Sequence, residues 1–302
     1  MKKKKILGYC LMIVALIIPI YMLTSMSIDR FAPNKEYSNY AESSKKNVQE
    51  YKIIKSKIKD YNKKLTEGDA SIVDPFSTED YKPAYDFSEN DEDFILGYVK
   101  IPRLDINYPL KLGTTEPNIR YGFGHVDGTS LPDTGPGTRS VIASHRVTRT
   151  ALMLYYINEI QEGDVLLLDL GYKVIKYKYK STEVIDPSEW EKLLPVENEE
   201  LITILTCDPP VPPFNKRILV SFEKEEELIS KESNIKKEEN KVKSEVVSRE
   251  ELTKFYDEEK LPKEQNNANV QVLPKVILAV AIILWLLLFI LIVRFIKILR
   301  KR

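Results

Sequence analysis

Cys207 closes the run Thr203-Ile204-Leu205-Thr206-Cys207, and it is the only cysteine outside the apolar segments of this 302-residue chain; the other, Cys10, lies in an apolar stretch near the N-terminus. A thiol attacks as the thiolate, so a reactive cysteine needs positive groups that lower its pKa from about 8.5. Two candidates bracket it: His145, in Ser144-His145-Arg146, precedes it, and Arg217, in Asn215-Lys216-Arg217, follows it. An imidazolium can support the thiolate and then give its proton to a departing amine. A guanidinium stays charged at any working pH, so it can only donate hydrogen bonds, to a developing oxyanion or to the substrate backbone. A thiol, an imidazole and a guanidinium are the parts of a cysteine transpeptidase. No third group that would orient the imidazole is evident.

Each of these residues has a plainer reading. A buried cysteine is usually a small hydrophobe, and Arg217 could be a surface residue of a strand. His125 is the rival base, because the chain has two histidines; it sits in a Gly-rich loop and reads as structural. Asp74-Pro75-Phe76 places a carboxylate beside an aromatic in a segment that cannot be helical before the proline, which by itself is an ordinary turn. Nothing in the pattern calls for a metal or a cofactor.

The elements that must position these groups lie between two apolar segments. Met1-Lys2-Lys3-Lys4-Lys5 precedes an apolar run from Ile6 to Leu23, which fits a signal peptide or an uncleaved anchor. With no clear Ala-x-Ala site after it, an anchor is expected. Val276 to Val293 carries no charge and is followed by Arg294, Lys297, Arg300, Lys301 and Arg302. Basic residues flank both segments on the same side, so both ends are expected to be cytoplasmic and the part from about residue 28 to 270 to face outward. Outside the cytoplasm a lone free thiol needs a reason. Forty-five basic and 45 acidic residues cancel, which argues against nucleic acid as a partner.

In the outward part, Val48, Tyr51, Ile54, Ile58, Tyr61 and Leu65 recur at helical spacing, predicting one amphipathic helix over 41–66 with Gly68 as its stop. Residues 67–92 read as a long loop. From Phe94 the pattern changes to short strands: Ile95–Ile101, Ile106–Leu112, Ser140–Ala143, Val165–Leu168, Lys173–Lys180, Leu201–Cys207 and Arg217–Phe222, with a hairpin turn at Gly171-Tyr172. Short helices are expected near 150–158 and 187–194. This much strand and little helix predicts a mostly β barrel or sandwich. If the last two strands are neighbours, Pro209–Phe214 is their turn and Cys207 faces Arg217 across the ladder. Glu223–Glu264 is dominated by Glu and Lys and reads as a solvated linker or a loose charged helix.

Thr203-Ile204-Leu205-Thr206-Cys207 resembles the T-L-x-T-C signature of sortases, with Ile at its second position, and His145 and Arg217 fall where sortases carry their catalytic His and Arg. The likeness runs from about 94 to 222. Leu96–Pro102 and Gly124–Pro132 resemble the first strand and a barrel loop of the class C, pilus-assembling sortases, and the C-terminal apolar segment and Asp74-Pro75-Phe76 point the same way. The resemblance implies a closed eight-stranded β-barrel with short helices. It also implies a transpeptidase that cuts LPxTG-type sorting signals between Thr and Gly. Cys207 would be the nucleophile, His145 the acid to the departing amine and Arg217 the oxyanion donor, with Asp74 and Phe76 in a lid over the site. The implied partners are pilin or surface-protein substrates, a lysine-bearing acceptor pilin and the membrane of a Gram-positive cell.

The expected organisation is a membrane anchor or signal segment at 1–28, the amphipathic helix and lid-bearing loop at 29–92, the catalytic barrel at 93–222, a charged linker at 223–272 and a transmembrane helix with a basic tail at 273–302. Two rival functions are open. A housekeeping sortase that anchors proteins to peptidoglycan shares the chemistry but lacks the lid and the second anchor. A wall-anchored surface or pilin protein would explain Leu273-Pro274 before an apolar run and a basic tail, yet Leu273-Pro274-Lys275-Val276-Ile277 lacks the Thr-Gly of a sorting signal. A full LPxTG string, Leu131-Pro132-Asp133-Thr134-Gly135, lies in mid-domain instead and reads as a loop.

Overall fold

The computed structural model describes residues 2–29, 32–44, 48–67, 72, 74–76, 85, 94–231, 243–258 and 268–300. Nine strands follow the chain: β1 (Ile95–Ile101), β2 (Ile106–Lys111), β3 (Phe123–His125), β4 (Thr138–Ala143), β5 (Val165–Asp169), β6 (Lys173–Ile185), β7 (Glu200–Asp208), β8 (Lys216–Ser230) and β9 (Lys243–Val247). They pair in the order β6-β5-β1-β2-β3-β4-β7-β8-β9, and β6 also pairs with β8. Eight strands therefore close into a barrel, which removes the open sheet edges that invite aggregation. The inward side chains, among them Val99, Leu110, Phe123, Ile142, Leu168, Ile204 and Val220, are fully buried.

The helices are α1 (Lys2–Asp29), α2 (Ala32–Ser44), α3 (Val48–Glu67), α4 (Glu116–Tyr121), α5 (Arg249–Glu258) and α6 (Ala268–Arg300). Helices α1 and α6 include apolar spans, 4–28 and 272–300, long enough to cross a membrane. They pack on each other, with Tyr9 and Phe295 rings 6.3 Å apart and the Trp285 indole donating to Thr24 Oγ1 at 3.1 Å. Leu273 and Pro274 lie inside α6, in continuous helix.

The structure bears on three expectations. The described residues of the expected helix over 41–66 are all helical, in α2 up to Ser44 and in α3 from Val48. Its expected stop, Gly68, lies outside the described residues, as does most of 67–92. The helices expected near 150–158 and 187–194 are reduced to single 3-10 turns at Ile157–Glu159 and Trp190–Leu193.

The third expectation concerns the charged segment, and it is corrected. Residues 223–230 continue β8, β9 adds to it in parallel, and α5 packs on the barrel. Two of its charges, Lys224 and Glu227, are paired with neighbouring strands rather than solvated. Lys224 reaches Glu200 at 3.1 Å and Glu227 at 2.9 Å, and Glu227 also pairs with Lys173 at 2.9 Å, all in buried surroundings. From α5, Leu252 and Tyr256 enter a cluster with Tyr37 and Ala41 of α2, Tyr98 of β1 and Leu167 of β5. Tyr37 stacks on Tyr256 at 4.7 Å and donates a hydrogen bond to Asp169. This cluster ties the segments before and after the barrel to its wall.

Candidate active site

Three adjacent strands bring the chemical groups together. β4 and β7 are parallel with Ala143 opposite Leu205, so the same register carried two residues on places His145 beside Cys207. β7 and β8 are antiparallel, and Cys207 lies directly opposite Arg217, as the turn at Pro209–Phe214 led us to expect. Cys207, His145 and Arg217 line one cleft of about 830 Å³, with Pro75, Phe76, Thr114, Thr115, Glu116, Ile119 and Phe214 among its other walls.

The backbone around the two reactive side chains is firmly held. Thr206 donates its hydroxyl to the Ser144 carbonyl at 2.7 Å, and the Ser144 amide donates to the Leu205 carbonyl. The His145 amide and the Ser144 hydroxyl both donate to the Ile119 carbonyl of α4. Arg146 is buried; it donates to the Cys207 carbonyl at 3.1 Å, to Asp208 at 2.6 Å and to Asn158 at 2.7 Å. The residue after the histidine thus grips the backbone of the cysteine.

Asp74 and Phe76 lie over this site. Asp74 accepts two hydrogen bonds from Arg217, from Nε at 3.3 Å and from Nη2 at 2.7 Å. Arg217 Nη1 is engaged as well, donating to the carbonyls of Phe214 and Lys216. The Phe76 amide donates to Asp74 Oδ1 at 3.1 Å, the local turn that an Asp two residues earlier favours. It fixes the aromatic ring beside the carboxylate, so that Phe76 sits 5.9 Å from the His145 ring and 5.2 Å from the Arg217 guanidinium carbon. Phe76 packs on the cluster of Ile119, Val126 and Leu205 beneath the cleft. Burial pushes the Cys207 thiol above its ordinary pKa, and Asp74 adds to the rise, against the pull of Arg217 and Arg146.

The second histidine is elsewhere. His125 is fully buried, with Nε2 near the Ser130 carbonyl (3.0 Å) and the Thr129 hydroxyl (3.2 Å), and Nδ1 2.7 Å from the Tyr85 hydroxyl. Burial lowers its pKa to about 4. The LPxTG string is likewise locked in the fold. Leu131 is fully buried and its backbone is held on both sides by Asn62, while Asp133 pairs with Lys173 at 2.7 Å and accepts from the Tyr172 hydroxyl.

Residues 99–225 match the sortase domain family. The structure is similar to that of sortase C-3 from Streptococcus pneumoniae, with 37% sequence identity, a TM-score of 0.61 and coverage of 65% of this chain and 92% of that one. The chain belongs to the sortase family. A second sortase C structure from Streptococcus pneumoniae is 27% identical with a TM-score of 0.52, over 63% of this chain and 94% of that one. Sortase D of Bacillus subtilis is 30% identical over 114 residues, which span 37% of this chain and only 54% of that relative. Sortases are cysteine transpeptidases, and the cleft of this sortase holds the one cysteine that lies outside the apolar helices.

Two residues in the cleft were not read as functional from the sequence. In the sequence Arg146 is marked only by standing next to His145. Glu116, whose carboxylate lies 3.0 Å from His145 Nε2, drew no attention, because nothing local connects residue 116 to residue 145. Its nearest signal is Thr115-Glu116-Pro117, a helix start, which marks the beginning of α4 but says nothing of what that helix faces.

Proposed function

We propose that this sortase joins pilin subunits: it cleaves an LPxTG-like signal between Thr and Gly and transfers the acyl group to a lysine amine of another subunit. The observation that carries this reading is the register that sets Cys207 opposite Arg217 on β8 and beside His145 at the end of β4. The Cys207 thiolate attacks the Thr carbonyl carbon, and the carbonyl oxygen becomes an oxyanion within reach of the Arg217 guanidinium. Collapse breaks the C–N bond as His145 gives its proton to the Gly amine. The thioester is then attacked by a lysine ε-amine, whose proton passes to His145 while the Cys207 thiolate departs.

Pilin joining, rather than anchoring to the wall, is supported by Asp74-Pro75-Phe76 and by the second apolar helix. Four of the five Arg217 N–H groups already have acceptors, two of them on Asp74, so with Asp74 in place a single Nη2 hydrogen is left for a substrate. The arrangement with Asp74 in place is therefore a resting state, and apparent affinity for the sorting signal is reduced by the fraction of molecules that are open. Both apolar helices are read as membrane spans with cytoplasmic basic ends and an extracellular catalytic barrel.

The test is to incubate the full-length protein in detergent with an LPxTG-bearing pilin and to separate the products under denaturing conditions. A ladder of covalent pilin multimers that Cys207→Ala abolishes is expected. Cleavage with transfer to a peptidoglycan amine but to no pilin lysine would assign the wall-anchoring role instead.

A further inference from the structure

The sequence offers no orienting group for His145, yet a transpeptidase that uses one imidazole as both acid and base gains from having its ring fixed. The structure contains such a group. Glu116 Oε2 lies 3.0 Å from His145 Nε2, and both side chains border the cleft that holds Cys207.

We propose that Glu116 is the positioning residue of His145: its carboxylate accepts the Nε2 hydrogen, fixes the ring and its tautomer, and leaves Nδ1 as the nitrogen that exchanges protons with the reacting groups. This inference rests on the assignment of His145 as the acid and base of the proposed reaction. With the Nε2 hydrogen held by Glu116, the neutral imidazole keeps its lone pair on Nδ1, and the imidazolium that forms on proton uptake is stabilised by the adjacent negative charge.

Three further observations support it. Arg120, one helical turn along α4, pairs with the same carboxylate, which keeps it ionised and aimed. Although burial works in the other direction, hydrogen bonds from His145 and Arg120 hold the Glu116 carboxyl below its ordinary range. Finally, the geometry between the two residues is fixed through the backbone. The Ile119 carbonyl of α4 accepts from the His145 amide at 3.0 Å and from the Ser144 hydroxyl at 3.1 Å. Asn118 ties the helix back to the carbonyls of Leu112 and Gly113, and that turn passes so close to β3 that a Cβ at Gly124 would lie 2.4 Å from the Gly113 oxygen. Glu116 is thus delivered to His145 by a braced helix.

The charged and titratable groups around the ring come from five places: Glu116 and Arg120 on α4, Arg146 beside it in sequence, Cys207 and Asp208 on β7, Arg217 on β8, and Asp74 in the segment that carries Phe76. Of these, Glu116 has the hydrogen bond to the ring.

The experiment uses the full-length protein in detergent with 15N-labelled histidine. With two histidines in the chain, the ring signals of His145 and His125 can be told apart by His145→Ala. Turnover of an LPxTG-type pilin and the His145 ring 15N shifts, which report the tautomer, are measured for wild type, Glu116→Gln, Glu116→Asp and His145→Ala. Glu116→Gln is expected to lower kcat roughly tenfold, part of the ~10²–10⁴ that proton transfer contributes, with KM changed by less than about twofold. Its His145 ring 15N shifts should move away from those of the Nε2-protonated tautomer while those of His125 stay in place, and Glu116→Asp should recover most of both effects. Unchanged kcat and an unchanged His145 tautomer in Glu116→Gln would overturn the proposal. A rise in KM alone would also overturn it, by making Glu116 a substrate contact. If His145→Ala keeps wild-type turnover, the assignment of His145 fails; if that variant is dead and Glu116→Gln is normal, only the role of Glu116 fails.

Discussion

Asp74 and Arg217 are joined by two hydrogen bonds, from Nε to Oδ1 at 3.3 Å and from Nη2 to Oδ2 at 2.7 Å, and both side chains are almost wholly removed from solvent. A bidentate guanidinium–carboxylate pair is among the stronger polar contacts a protein makes. Here it ties up the one arginine that faces Cys207 across the β7–β8 ladder. The same carboxylate helps to raise the thiol pKa, so the contact opposes both the formation of the thiolate and the donation to an oxyanion.

Removing this contact should therefore activate the thiol. Asp74→Ala and Phe76→Ala are expected to speed alkylation of Cys207 by a small thiol reagent. In Asp74→Ala the pH midpoint of alkylation should also move down, because a charge that raises the thiol pKa is gone and Arg217 is free to lower it. Rates and midpoints equal to wild type in both variants would show that residues 74–76 form only a turn.

Arg217→Lys should lose most transpeptidation although the charge is kept. The guanidinium presents a planar fork of donors, whereas an ammonium is a compact charge on a shorter reach. Loss of one oxyanion donor typically costs ~10²–10³ in rate, and kcat on an LPxTG-type peptide measures it. Wild-type kcat in the lysine variant would mean that Arg217 supplies charge alone.

His125 should govern stability rather than catalysis, and with a defined pH dependence. In the unfolded chain it takes up a proton near pH 6.5, but in the folded protein only near 4. Its contribution is complete above about pH 6.5, is lost as pH falls from there toward 4, and changes no further below. The loss over that window is on the order of 3 kcal/mol. Thermal melts of wild type and His125→Gln at several pH values test this: the stability gap should narrow as pH falls from 7 to 4. A gap independent of pH, or a folded His125→Gln protein without activity, would contradict the assignment.

The parts of this molecule that were legible in the sequence are those with local signals. The alternation in Lys173–Lys180, the turn at Gly171-Tyr172 and the proline-rich break after Cys207 were enough to place β6, the β5–β6 hairpin and the β7–β8 pair that sets Cys207 opposite Arg217. The end of β8, with β9 and α5, was not legible, because its signal is inverted. Lys224 and Glu227 look like solvent-facing charge in a linear reading, yet they are buried, and their partners Glu200 and Lys173 come from strands distant in sequence. Helix α5 likewise commits only Leu252, Phe255 and Tyr256 to its cluster. The contact of Glu116 with His145 was hidden for a related reason. It exists only because β3 and β4 fold α4 back onto the end of β4, and no spacing along the chain encodes that.

The central claim is that Cys207 carries the acyl group between cleavage and transfer. It is tested most directly by mixing the full-length protein with an LPxTG-bearing pilin in the absence of an acceptor, quenching in acid, and mapping the modified residue by mass spectrometry. The account predicts a thioester at Cys207 that a nucleophilic amine such as hydroxylamine discharges, and no adduct in Cys207→Ala. Cleavage at wild-type rate in Cys207→Ala, or an acyl group mapped to another residue, would contradict it.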